Sequence, residues 1–297
     1  MTLEQLRIFV AVAERQHVTQ AAHDLNLTQS ATSAAITALE CRYAVRLFDR
    51  IGRRIVLTEA GRLFLVEARA ILERASDAEA LLADLGDMRR GALALAASQT
   101  IGTYWIPRVL PRFASLCPGV GTSLTIGNTE FVAARVRDGL TAIGFVEGPV
   151  DDPAIIVEPL FEDRLRLVAA PGDPWLTGDG DMAARLAAAR WIVRENGSGT
   201  RLALENALGH YGLSAADIHI DQVLPSNETV RTAVEAGAGI TILSAMAVDT
   251  ALKAGTLVSP DLRLEGRGFF ALRHRERYHG KAAALFVDLV RAGPFPR

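Results

Sequence analysis

Four polar clusters in the second half of the chain hold the groups best suited to a ligand: Ser98-Gln99-Thr100, Asn128-Thr129-Glu130, the run from Asn196 to Arg201, and Ser226-Asn227-Glu228. Each stands where a β-prone run gives way to a helical pattern. In parallel α/β sheets such junctions lie beyond the carboxyl ends of the strands, where helix N-termini offer unpaired N–H groups. Short hydroxyls, amides and the guanidiniums of Arg194 and Arg201 then suit an oxyanion or a small carboxylate. Taken singly, each cluster is an ordinary helix cap. Their recurrence points to binding and nominates Ser98, Gln99, Thr100, Asn128, Thr129, Arg194, Ser198, Thr200, Arg201 and Asn227.

Catalysis is not expected. The GSGT segment lacks the GxxxxGKS/T pattern of a nucleotide loop, there is no HExxH or GxSxG, and no histidine is indicated as a base for Ser98 or Ser198. The six histidines show no ligand spacing, and Cys41 and Cys117 form no CxxC pair, so neither a metal nor a redox cofactor is expected.

A second constellation lies between Thr19 and Leu39, which reads as two short helices around a tight turn, with Asn26 where a left-handed residue is needed. With Thr28 as N-cap, about 100° per residue gathers Gln29, Ser30, Ser33, Thr37 and Glu40 on one arc. Ala31, Thr32, Ala35, Ile36, Ala38 and Leu39 fall opposite. A helix that packs on its neighbours needs only the apolar arc; one that enters the DNA major groove also needs polar side chains near its N-terminus. The net charge of −2 argues against nucleic acid only if it is spread evenly, yet Arg42, Arg46, Arg50, Arg53 and Arg54 lie within thirteen residues that contain a single acid, Asp49. The run from Phe48 to Thr58 reads as a hairpin with Arg50, Arg53 and Arg54 about its tip, a wing suited to phosphate. The blander readings are an amphipathic helical hairpin and a solvated basic turn.

The positioning elements follow from periodicity. Leu6, Phe9, Val10 and Ala13 give a first helix that covers the other two. From Thr58 to Met88, Phe64, Ala68, Ile71, Ala75, Ala78, Leu82 and Leu85 alternate by fours and threes, a seam that predicts a helix of about 45 Å with no core of its own, paired with a second copy. Beyond a linker at Met88-Gly91, β-prone and helical runs alternate: Leu93 to Ala97, a helix from Thr103, Thr122 to Ile126, a helix from Thr129, Ile143 to Val146. A second set follows, and Phe269 to Leu272 with a last helix from Lys281 returns to complete the first lobe. The fold expected is α+β multidomain, with a winged helix-turn-helix over 1–58, a linker helix over 59–88 and a two-lobed α/β region over 91–297. Lobe 1 takes about 91–161 and 266–297, and lobe 2 about 162–265. With 49% hydrophobic residues, no apolar run long enough to span a bilayer and an early acid in the N-terminal helix, a cytoplasmic protein is expected. A solute-binding or metabolic α/β protein with an accessory helical domain is the competing class.

The whole chain resembles the LysR-type transcriptional regulators. The resemblance is carried by LEQLRIFVAVAE at 3–14, TQAAHDLNLTQSATSAAITALE at 19–40, LFDR at 47–50 and LTEAG at 57–61. It implies a winged helix-turn-helix bound to double-stranded promoter DNA, a dimerising linker helix, a homodimer that assembles to a homotetramer, and an effector domain resembling periplasmic binding proteins. It sets Gln29, Ser30, Ser33 and Thr37 toward the groove, Arg50, Arg53 and Arg54 at the wing, and Thr100, Thr129 and Ser198 to Arg201 at the inducer. VRENGSGTR at 193–201 is similar to regulators of the sulfur-assimilation and sulfite-responsive branch and to some tied to carbon fixation, which suggests a small oxyanion effector. His17-Val18 and Tyr43-Ala44 replace the usual Ser-Phe and Leu-Gly, at positions read as packing ones.

Overall fold

The computed structural model describes residues 1–51, 54–85, 91–178, 180–262 and 264–293, without the side chains of 50, 51, 54, 73, 76, 77, 80 and 83–85. The linker expected at Met88 to Gly91 thus falls mostly outside the described residues. Two compact units result, one of 1–85 with 138–140 and the other of 91–137 with 141–293.

In the first unit, α1 (Leu3–Arg15) opens on a capping box, in which Thr2 Oγ1 accepts from the Gln5 N–H and Gln5 Oε1 from the Thr2 N–H. α2 (Val18–Asp24) and α3 (Gln29–Tyr43) follow, joined through Asn26 at φ 55°, the expected left-handed residue. Thr28 caps α3 by accepting from the Ala31 N–H at 3.2 Å. The face of α3 that packs is rotated from the expected one. Thr32, Ile36 and Leu39 are buried, but Ala31 and Ala38 are exposed, and Glu40 turns inward so that its Oε1 accepts from the N–H groups of Leu47 and Phe48 at 2.7 and 3.1 Å. Methyl groups gave little basis for placing the packed arc, whereas the two unpaired N–H groups at the start of the hairpin drew in the carboxylate.

The hairpin is β1 (Phe48–Ile51) against β2 (Arg54–Leu57), antiparallel, with Phe48 facing Leu57 and Ile51 facing Arg54. Of the two departures from the family pattern, Val18 packs on the core of this unit as read, whereas His17 and Ala44 are capping positions. His17 is the N-cap of α2, its Nδ1 accepting from the Gln20 N–H, and Ala44 ends α3 at φ 50°, a left-handed conformation that glycine takes without the Cβ penalty.

α4 (Glu59–Leu85) corrects the seam. Phe64 packs on Phe9 with ring centroids 4.9 Å apart, and Ala68 is fully buried in the core that α1, α3 and the hairpin share. The first half of α4 therefore has a core within its own unit. Gly61 permits this close seat, since a Cβ there would collide with the Leu47 carbonyl. Of the seam, Ile71 and Leu82 remain exposed, together with Leu63, Val66 and Leu81 outside it.

The second unit begins with β3 (Gly91–Ser98), α5 (Gln99–Tyr104) and α6 (Ile106–Leu116). The helix expected from Thr103 starts at Gln99 and breaks at Trp105, and Pro107 restarts it. β4 (Val120–Gly127), α7 (Thr129–Arg137), β5 (Ile143–Glu147) and β6 (Ile155–Asp163) continue the first lobe. β7 (Leu165–Val168), α8 (Met182–Ala188), β8 (Arg190–Arg194), α9 (Gly199–Gly209), β9 (His219–Leu224), α10 (Asn227–Glu235), β10 (Thr241–Ser244) and α11 (Ala245–Ala254) make the second. β11 (Arg267–His274) and α12 (Lys281–Ala292) return to the first.

The first sheet has the order β4-β3-β5-β11-β6, with β3 parallel to β4 and β5, and β11 antiparallel to β5 and β6. β6, unforeseen in the sequence, lies at the edge, where its Pro159 costs no interior ladder bond. Phe113, Phe145, Phe269 and Phe286 fill the core between sheet and helices. In the second lobe β8 pairs parallel with β9 and β7 antiparallel with β10, joined by a Trp191 to Ile240 bridge, around a core that holds Trp191, Leu167 and Leu204. Among the described residues no helix is long and apolar enough to cross a membrane.

Candidate functional site

On the first unit, Gln29 and Ser30 sit exposed at the start of α3, Thr37 is exposed two turns on, and Ser33 is half-buried. Ser30 Oγ is 3.0 Å from Thr28 Oγ1. The exposed arc also includes Ala31, Ala34, Ala38 and Cys41, so short side chains give the helix a low profile. Arg50 and Arg54 belong to the hairpin strands, with side chains outside the described residues, and Arg53 lies outside them altogether. Arg42 and Arg46 are exposed beside them.

The second unit brings most of the nominated ligand residues to the junction of its two lobes. Thr100 lies at the center, fully buried: its N–H donates to Glu147 Oε1 at 2.9 Å, and its Oγ1 accepts from Asn227 Nδ2 at 2.9 Å and from Arg267 Nη2 at 3.0 Å. Gln99 bridges the same gap, donating to the Pro225 carbonyl and accepting from the Asn227 N–H. Thr200, from α9, accepts from Arg267 Nη1 at 3.2 Å. Ser98 is buried and donates to the Phe145 carbonyl, which makes it a structural hydroxyl of the first lobe. Ser198 caps α9 by accepting from the Thr200 N–H, and Thr129 donates to the Glu147 carbonyl. Gly199 is seated against that same carbonyl, where a Cβ would collide with it. Asn128 Nδ2 lies 3.4 Å from Glu195 Oε1.

The two nominated guanidiniums do not stand free. Arg194, 2% exposed, grips the Glu195 carboxylate through Nε and Nη2 at 2.8 and 2.7 Å and donates from Nη1 to Asn227 Oδ1. Burial disfavours the charge on Glu195, but the hydrogen bonds from Arg194 hold its carboxyl below the usual range. Arg201 turns along its own helix to Glu205, at 2.6 Å.

Three charged residues that motif and spacing did not single out complete the junction. Arg267 joins Asp163 at 2.9 Å and stands 4.0 Å from Glu147, all three side chains being almost fully buried. Burial pushes Asp163 above the ordinary carboxylate range, against the pull of Arg267 and the Ser244 hydroxyl at 2.7 Å. Glu147 and Arg267 are the terminal residues of β5 and β11, one and two positions beyond the apolar runs that marked those strands. A charge just beyond a strand pattern, following it in β5 and preceding it in the antiparallel β11, is the signal that finds Glu147 and Arg267. At the mouth, the Tyr104 hydroxyl donates across the gap to Glu228 at 2.8 Å, and burial together with that carboxylate pushes its pKa well up.

A helix-turn-helix with a wing, carried by a chain whose other unit is a pair of α/β lobes meeting at a polar junction, defines a ligand-controlled DNA-binding protein. The chain belongs to the LysR family of bacterial transcriptional regulators: a family model described as "Bacterial regulatory helix-turn-helix protein, lysR family" matches residues 3–62, and "LysR substrate binding domain" matches 86–294. It is 38% identical to an uncharacterised HTH-type transcriptional regulator, YeiE, of Escherichia coli (strain K12), over 100% of this chain and 99% of that one. It is 31% identical to the RuBisCO operon transcriptional regulator of Allochromatium vinosum, covering 98% of this chain and 95% of that protein. Its fold is similar to that of full-length CbnR in complex with its target DNA, with TM-score 0.69, 24% identity and coverage of 98% and 99% of the two chains. These relatives are regulators rather than enzymes, which disfavours the solute-binding or metabolic alternative.

Proposed function

We propose that the protein reads promoter DNA through Gln29, Ser30, Ser33 and Thr37, grips phosphate with Arg50, Arg53 and Arg54, and responds to a small oxyanion or carboxylate at the lobe junction. A regulator of promoter DNA works in the cytoplasm. Support for the reading helix is its exposed, low-profile N-terminal turn. Gln29→Ala should relax discrimination at one base pair by about 1–3 kcal/mol, while Arg53→Ala should weaken all DNA binding and lower the salt slope by about 1. Equal loss on operator and random duplex for Gln29→Ala would remove that residue from base reading.

The same reading divides the chain at 1–58, 59–88 and 91–297 and makes it a homodimer through α4, assembling to a homotetramer. Supporting the dimer is the exposed row of Leu63, Val66, Leu81 and Leu82, apolar surface of a kind that association covers. Leu63→Glu with Leu82→Glu should shift the protein to monomer in sedimentation velocity, and an unshifted profile would exclude α4 as the interface.

One observation carries the effector site: Thr100 of the first lobe is gripped by Asn227 of the second and by Arg267, so the junction's polar groups are shared between bodies that a ligand can part or clamp. Because each guanidinium there already holds a carboxylate, an oxyanion has to take the place of one, on Arg194 or Arg267. Thr100→Val combined with Ser198→Ala should abolish the thermal stabilisation given by whichever of sulfate, sulfite, phosphate or small hydroxy acids binds the native protein. An unchanged shift would place the ligand elsewhere.

A further inference from the structure

The first lobe has a cavity of about 240 Å³ at the end of its sheet away from the lobe junction. The strand register sets this separation. β5 and β11 run antiparallel, so Glu147 and Arg267 share the junction end while Ile143, Arg273 and the cavity share the other. At about 3.3 Å per residue, Arg267 and Arg273 stand roughly 20 Å apart along one strand.

The walls are aliphatic, from Ile143 and Val287, and the space exists because Ala271, Ala283 and Ala284 stand where larger side chains would fill it. The rim is charged. Glu158 is shared between Arg273 Nε at 2.5 Å and Arg291 Nη2 at 3.5 Å, and both guanidiniums are about two-fifths exposed, at 38% and 43%. Arg291 also reaches Asp288 at 3.3 Å, and His279 donates from Nε2 to the His274 carbonyl at 3.0 Å. A space with room for roughly eight waters, yet lined mostly by hydrocarbon, gives water few partners.

We propose that this cavity is a second small-molecule site, for a short-chain aliphatic carboxylate. The chain lies along Ile143 and Val287, and the carboxylate takes a planar pair of N–H donors from Arg273 and Arg291 in exchange for part of their hold on Glu158. The site is independent of the junction ligand, and β11 connects the two, with Arg273 at one end and Arg267 at the other.

Isothermal titration of the full-length protein with butanoate, hexanoate and octanoate tests this, with hexanamide as the neutral match. Affinity should rise about fourfold per added methylene until the cavity is full, and hexanamide should bind at least about tenfold more weakly than hexanoate. Arg291→Met and Ala284→Leu, the latter at the exposed mouth and clear of the core, should each abolish hexanoate binding, whereas Thr100→Val should leave it unchanged. Absence of heat with every carboxylate, no dependence on chain length, or full binding by the Ala284→Leu protein would overturn the proposal.

Discussion

Replacing Arg267 with methionine is expected to cost the effector-binding unit about 3–5 kcal/mol, because it strands two buried carboxylates, Asp163 and Glu147, that share one cation. For a unit of this size that is a fall in Tm of roughly 6–20 °C. The loss should depend on pH in a defined sense. Burial already holds Asp163 above the ordinary carboxylate value, and removing Arg267 takes away the main opposing pull. A folded pKa above the unfolded one means that the folded state binds more protons, so stability is greatest in acid and is lost as pH rises from the ordinary carboxylate range through the folded pKa. Melting curves should therefore show a smaller deficit at about pH 5 than at about pH 8. A deficit equal at both would mean that Asp163 is not the stranded group.

Phe9→Ala should be comparably severe in the other unit, at about 3–5 kcal/mol. Phe9 is fully buried and its ring meets Phe48 at 5.4 Å and Phe64 at 4.9 Å, so it ties α1 at once to the hairpin and to α4. A unit of about 85 residues has only ~5–15 kcal/mol to lose. Specific DNA binding should fall with the folded fraction, while calorimetry retains the transition of the α/β unit. Native DNA affinity in the variant would show that the aromatic cluster does not hold the reading helix in place.

Much of this was legible beforehand, and the exceptions share a cause. Helices and strands with strong periods were found from their own residues: α1 from Leu6, Phe9 and Ala13, α3 from Thr28 and Ile36, β3 to β5 from alternating αβ runs. Reading failed where a residue's partner is distant in sequence. Phe64 and Ala68 fit a seam between copies as well as they fit the core they occupy, because the heptad pattern does not say which of two apolar faces meets its own chain. Arg267 pairs with Asp163 across more than a hundred residues, so neither strand alone marks the other. The polar clusters were legible as a set, yet Ser98 is a structural hydroxyl and Arg201 closes on its own helix, details that depend on side-chain direction rather than spacing.

The first lobe is assembled from both ends of its unit, since β11 inserts between β5 and β6 only after the entire second lobe has been made. On the ribosome β5 must wait for Phe269 to emerge opposite Glu147. At ~5–20 residues per second, the roughly 120 intervening residues take about 6–24 s. The DNA-reading unit is complete long before then. A message truncated ahead of β11 would thus yield a chain able to find its operators but not to form the lobe that answers to a ligand, so late nonsense mutations in this gene should act as dominant, unresponsive alleles rather than as simple losses.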